Sequence, residues 1–240
     1  MQKRLIAGGF AAGFPGVFAI AFLFLPPLLA GKPLPMPMWA VQMIAALQSS
    51  ILLAIAVAVG ACLAPKVGLR APLLSALVSR ASPWQALKPA LLPGVAGGLF
   101  GAVSIWLLSQ AAPPQLQVKT PVPLIARVLY GGITEELLLR WGFMTLVAWI
   151  LWRLLQKRAL TPPPAVIVAS IFLSALLFGA GHLPAAAALT GHLSSGIVAY
   201  VMIGNAAFGI VAGYLYWKAG LEAAIIAHVT THLVLYFAIS

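Results

Sequence analysis

The sequence predicts an all-α, polytopic transmembrane helical bundle of about seven spanning helices with a short interfacial segment. Only 7% of its 240 residues are charged and 62% are hydrophobic, whereas soluble domains carry roughly 25% charged residues. Apolar runs recur along the chain, each near the ~20 residues that cross a bilayer. The strand alternation of a membrane barrel is absent. Inside lipid each backbone polar group must be paired within its own segment, so these runs are helices.

The first span runs from Leu5 to Ala30 behind the charged start Met1-Gln2-Lys3-Arg4. Its apolar core is far longer than the roughly 7–15 residues of a signal peptide, so it is expected to be retained. Pro15 and its flanking glycines predict a kink. The second span covers Trp39 to Ala64. Residues 65–88 carry Lys66, Arg70, Arg80 and Lys88 around Pro72–Val78 and Trp84, the pattern of a segment lying along the interface. A third span covers Ala90 to Ser109, followed by the polar loop Ala111–Thr120.

The fourth span, Pro123 to Leu155, would be ~50 Å long if straight, against a hydrocarbon core of ~30 Å. It must tilt, protrude or break, and Trp141-Gly142 is the expected bend. Pro162-Pro163-Pro164 opens the fifth span, expected to reach His182 before Pro184 stops it. The sixth covers Ser195 to Trp217, and a tight turn with Gly220 leads to the seventh, Leu221 to Ile239. The whole chain, 1–240, reads as one membrane-embedded domain. Residues 5–120 supply its first three helices and 121–240 the helices with chemistry.

With the N-terminus inside, the inner segments hold Lys3, Arg4, Lys66, Arg70, Arg80, Lys88, Arg153, Lys157, Arg158 and Lys218. Lys32 and Lys119 lie outside. This asymmetry predicts a cytoplasmic N-terminus and an outer C-terminus, in a bacterial cytoplasmic membrane. It also accounts for the net charge of +11 without nucleic acid, for which no phosphate loop or aromatic-basic pattern is present. The single Cys62 cannot form an internal disulfide.

The chain has three acids, none of them Asp, and two stand together at Glu135-Glu136. Ionisable groups within a membrane are costly and mark functional positions. Glu136 and Arg140 are four apart, acid before base, and share a helix face. Glu135 is rotated by ~100° from Glu136 and has no local cation. Of four histidines, His192 sits in a small-residue loop and is expected to be uninvolved. His182 follows Phe178-Gly179-Ala180-Gly181, and His228 and His232 are i and i+4 on one face.

Counted from their inner ends, Glu135 and His182 each lie ~27 Å along their helices, His228 ~15 Å and His232 ~21 Å. For all four to meet, the Trp217–Leu221 turn must lie deeper than the other inner loops, with Lys218 snorkelling.

At these residues the chain resembles the CPBP family, the CAAX-protease and bacteriocin-processing intramembrane proteases. Its pattern is Glu-Glu-x-x-x-Arg, Phe-x-x-x-His and His-x-x-x-Asn/Asp on three helices. Glu135, Glu136 and Arg140 match the first element, Phe178 and His182 the second, and His228 opens the third. His232 departs from it, standing where Asn or Asp is usual. The motifs fall between Tyr130 and Leu233.

The resemblance implies a membrane-embedded endopeptidase, like the type II CAAX prenyl endopeptidases, acting on a membrane-associated protein or peptide. In that chemistry Glu135 takes a proton from water and His182 helps hold or activate that water. His228 and His232 donate to the tetrahedral oxyanion. Glu136 with Arg140 would fix the helix, and Phe178 belongs to the supporting motif. No cofactor is favoured, although His182, His228 and His232 could supply three imidazoles to Zn²⁺ with Glu135 as base. The His-Glu-x-x-His zinc signature is absent. The alternative is a non-catalytic bacteriocin-immunity or partner-binding protein built on the same polar cluster. A proton-coupled transporter would show internal repeats with broken helices, and none is found.

Overall fold

The computed structural model describes residues 1–117, 122–155 and 160–239. Lys119, Lys157 and Arg158 of the charge pattern lie outside the described residues. Among the described residues there are helices and no strand. Seven helices are long and apolar enough to cross a membrane, and the protein is an integral membrane protein. Its outer faces are apolar: Leu47, Phe100, Ile203 and Phe237 are each at least 60% exposed, as side chains that meet lipid tails should be.

The helices are α1 (Gln2–Leu29), α2 (Met38–Leu63), α3 (Pro72–Ser79) and α4 (Pro83–Ser109). They continue as α5 (Leu124–Leu155), α6 (Pro164–Gly181) and α7 (Leu183–Thr190). Last come α8 (Ser195–Ala219) and α9 (Leu221–Ile239). α5 is the central element. α1 and α2 pack on one side of it, and α6 and α9 on the other.

α5 is not a uniform α-helix. Arg127–Thr134 and Leu137–Met144 are wound as π-helix. Each wide stretch is followed or ended by a threonine whose hydroxyl donates to the carbonyl five residues back. Thr134 reaches Leu129 at 3.1 Å and Thr145 reaches Arg140 at 3.2 Å. Such side-chain insertions are among the identified causes of irregular winding. The expected bend at Trp141-Gly142 falls inside the second of these stretches. The same hydroxyls also join helices: Thr134 donates to Gly13 O (2.7 Å), and Thr145 bonds Tyr216 Oη (2.9 Å).

Two expected boundaries are corrected. The third span starts at Pro83, not Ala90, and carries Pro89 and Pro93 inside the helix. Neighbouring helices allow this in a membrane by re-satisfying freed backbone groups. In the first span Pro15 lies inside the helix, and π winding follows at Ile20–Phe24. Finally, Pro184 does not stop the fifth span. It sits in the first turn of α7, where its missing N–H costs no bond, and the helix resumes to Thr190. His182 occupies the joint, with φ −88° and ψ −12°.

One end of the bundle is closed by α3. Glu222 Oε1 accepts from Leu73 N (2.8 Å) and Leu74 N (3.1 Å), capping α3 from a different helix. Leu221 N donates to Arg70 O (3.0 Å). The turn between α8 and α9 is a single Gly220 at φ 100°, left-handed backbone that favours glycine; a Cβ there would also meet Pro72 at 2.9 Å. Leu221, Ala223 and Ala224 are fully or nearly buried. This turn therefore lies under α3. Lys218 Nζ rests over the Trp217 ring.

Candidate active site

The fourth, fifth and seventh spans bring Glu135, His182, His228 and His232 to the wall of one cavity of about 820 Å³. One strip of α5 floors it, from Ala126 through Tyr130 and Glu135 to Leu139, Phe143 and Leu146. Residues of α1 and α2 complete the wall, among them Phe24 and Ala56. Leu52 and Ile55 of α2 and Leu177 of α6 both line the cavity and stand 43–56% exposed on the outer surface. The cavity therefore opens sideways between α2 and α6, toward the lipid.

The two adjacent glutamates have separate surroundings. Glu136 is fully buried. Its Oε1 lies 3.1 Å from Arg140 Nη1 and 2.8 Å from His228 Nδ1. The arginine contact is an ion pair without hydrogen-bond alignment, because Nη1 has no hydrogen-bond partner. Arg140 instead donates from Nη2 to Gly209 O (3.3 Å) and lies over the Phe178 ring, 4.7 Å from its centroid. At such distances a desolvated guanidinium is attracted by the ring face. Glu135 is half-buried and forms no hydrogen bond or ion pair among the described residues. Its carboxylate is open to the cavity.

The imidazoles are held from behind. His182 donates from Nδ1 to Phe178 O at 2.8 Å, which leaves Nε2 as the free nitrogen. His228 gives its Nδ1 to Glu136 and likewise keeps Nε2 free. The ring of His232 stacks on that of His228, with centroids 4.8 Å apart and planes 21° from parallel. Phe178 meets both His182 and His228 edge-on, at 4.8 and 5.8 Å, and Phe208 packs on His228 at 4.6 Å. Gly131 makes room for His232: a Cβ at position 131 would stand 2.5 Å from Nε2. His192, the fourth histidine, is exposed in the turn after α7.

Among the described residues, no group of three or more His, Cys, Asp and Glu side chains is placed to hold a metal ion. The Nδ1 atoms of His182 and His228 are engaged, and Nε2 is the nitrogen each of these rings presents to the cavity.

The sequence reading does not single out Arg127, Tyr130, Asn205 or Thr231, which share this cavity wall. Asn205 donates from Nδ2 to Val201 O (2.8 Å), and Thr231 to Gly98 O (2.9 Å). An amide in the middle of the apolar run Ile203–Ile210 was the available signal for Asn205, since polar side chains there face other helices or cavities.

In comparison with known proteins, residues 117–234 match the family described as type II CAAX prenyl endopeptidase Rce1-like. The match covers α5 through most of α9 and contains the three motif regions, the third with His232 in place of Asn or Asp. No curated protein and no solved structure matches the chain.

Proposed function

Because residues 117–234 belong to the Rce1-like family of type II CAAX prenyl endopeptidases, an intramembrane endopeptidase family, we propose that this protein hydrolyses a peptide bond of a membrane-associated substrate by glutamate-activated water. The observation that carries the reading is the unpaired Glu135 carboxylate facing the same cavity as the free nitrogen of His182. Water held between them loses a proton to Glu135 as its oxygen attacks the substrate carbonyl. The proton then passes to the leaving amine, so that one water is added across the bond.

The oxyanion formed in between is met by the imidazoles of α9. His228 donates from Nε2 when doubly protonated, and Glu136 at 2.8 Å supplies the counter-charge for that state. His232, stacked beside it, takes the position where the resembling family has an amide or acid. No metal enters any step. The sideways opening supports delivery of the substrate from the lipid. We take the whole chain as one working unit, since α1 and α2 wall the cavity.

The positions of Lys3, Arg4, Lys66, Arg70, Arg80, Lys88, Arg153 and Lys218, against Lys32 on the other side, support an inner N-terminus in a bacterial cytoplasmic membrane. The deciding experiment compares membrane peptides of cells carrying the wild type with those carrying Glu135→Gln. Products present only with the wild type are expected. Identical cleavage by Glu135→Gln and His182→Ala removes the catalytic assignment.

A further inference from the structure

One lipid-facing stripe of α4 begins with charge. Trp84, Lys88, Leu92, Val95 and Leu99 recur at three- and four-residue spacing, so they share one face of the helix. All five are exposed, Trp84 by 60% and Leu92 by 79%. The stripe ends at Trp106, also exposed. The two tryptophans are 22 residues apart, ~33 Å along a helix axis, which matches a hydrocarbon core of ~30 Å. Indoles at both ends of such a length mark the two headgroup levels.

Lys88 lies one turn inside that band, on the face turned to lipid. Its Cα–Cβ bond tilts toward the helix N-terminus, so the side chain runs back toward the Trp84 level, as snorkelling lysines do. Arg80 stands four residues before Trp84, where α3 ends. Its φ of 58° makes it the one non-glycine residue with left-handed backbone among the described residues. A Cβ disfavours that conformation, and glycine is the usual residue at such a helix end. A guanidinium therefore occupies a position for which backbone chemistry alone would select glycine.

Neither cation is answered from within the protein. Arg80 and Lys88 are exposed and form no hydrogen bond or ion pair among the described residues. The chain holds only three acids, and each is engaged elsewhere. Glu136 faces Arg140 and His228, Glu135 lines the cavity, and Glu222 caps α3. Two unanswered cations flanking an indole, directly above an apolar stripe, complement a molecule with an anionic head and a hydrocarbon tail.

We propose that Arg80 and Lys88 dock the headgroup phosphate of an anionic phospholipid whose acyl chain lies along Leu92, Val95 and Leu99. The stripe selects lipid over a free phosphate or a nucleic acid, neither of which has a tail to cover it. A zwitterionic lipid neutralises its own phosphate and leaves the two cations unanswered. None of these residues lines the cavity, so the lipid site stands apart from the peptidase reading.

The test adds dioleoyl phosphatidylglycerol or dioleoyl phosphatidylcholine to the full-length protein in detergent and measures bound lipid by native mass spectrometry. The wild type is expected to retain phosphatidylglycerol in preference to phosphatidylcholine. Lys88→Gln and Arg80→Gly should each lower that preference about fivefold, and both together about 25-fold, as for the loss of one and two cations beside anionic lipid. Arg80→Gly removes the guanidinium and relaxes the left-handed backbone. Its melting temperature should therefore not fall, which separates loss of lipid from loss of fold. Lys218→Gln removes a cation that rests over Trp217 and should leave the preference unchanged.

No preference in the wild type, or one that survives the double substitution, overturns the proposal. An equal fall with Lys218→Gln also overturns it, because the end of the bundle would then be diffusely basic with no defined site. Displacement of phosphatidylglycerol by equimolar inorganic phosphate would assign the two cations to a free anion and overturn it likewise.

Discussion

His228 Nδ1 lies 2.8 Å from Glu136 Oε1, although 92 residues separate the two in the chain. This contact divides the adjacent glutamates into two tasks. Glu136 is consumed in orienting an imidazole and in facing Arg140, which leaves Glu135 as the acid open to the cavity. Their substitutions should therefore differ in kind.

Glu135→Gln should abolish cleavage and leave the melting temperature in detergent within a degree or so of wild type, because a half-buried group without partners is being replaced by its isostere. A large fall in melting temperature would assign Glu135 a structural task instead.

Arg140→Ala should lose both activity and stability. It strands a fully buried carboxylate, a change that costs ~3–5 kcal/mol when one member of a buried pair is removed. It also removes the guanidinium from the Phe178 ring. Detergent unfolding curves measure the loss, and an unshifted midpoint would show that Glu136 finds another partner.

Gly131→Ala tests the placement of His232. The fold should survive, because the new Cβ meets only the far edge of an imidazole that can turn away. Activity should fall by about 10²-fold, the scale for an ångström-sized misplacement in a catalytic constellation. Wild-type turnover in this variant would remove His232 from the reaction.

Glu222→Ala should destabilise the protein without altering the cavity. Two backbone N–H groups of α3 lose their acceptor, at ~1–3 kcal/mol for an unsatisfied donor. Limited proteolysis should then cut faster between residues 65 and 82. Glu222→Gln, which keeps one acceptor oxygen, should resemble wild type.

Purified enzyme should retain full activity after chelation, with zinc analysis finding sub-stoichiometric metal. Activity that disappears on chelation and returns with Zn²⁺ would put a metal ion in the reaction.

The spans could be read from the sequence because length and apolar content decide them almost alone, and the Glu136–Arg140 pair because four residues on a helix make neighbours. The convergence of Glu135 with three histidines was likewise readable, since few polar groups exist in these spans and each needs a wet or polar partner. Other features depend on residues far apart. Nothing near Glu222 announces that its partners are Leu73 and Leu74, and Glu136 gives no local sign of His228. Proline misled at Pro184. A missing N–H breaks an isolated helix, but not one restarting at its first turn or braced by neighbours. The π winding of α5 has no propensity signal at all.

That winding has a consequence for how this protein tolerates insertions and deletions. Each widened turn accommodates an extra residue relative to ordinary α geometry. Deleting one residue between Arg127 and Thr134 could let the helix relax to regular winding. Everything upstream would then keep close to its present phase against everything downstream, because the lost residue is the one the widened turn had absorbed. The same deletion in the regular stretch Thr145–Leu155 has no widened turn to absorb it and would swing its two sides past one another by ~100°.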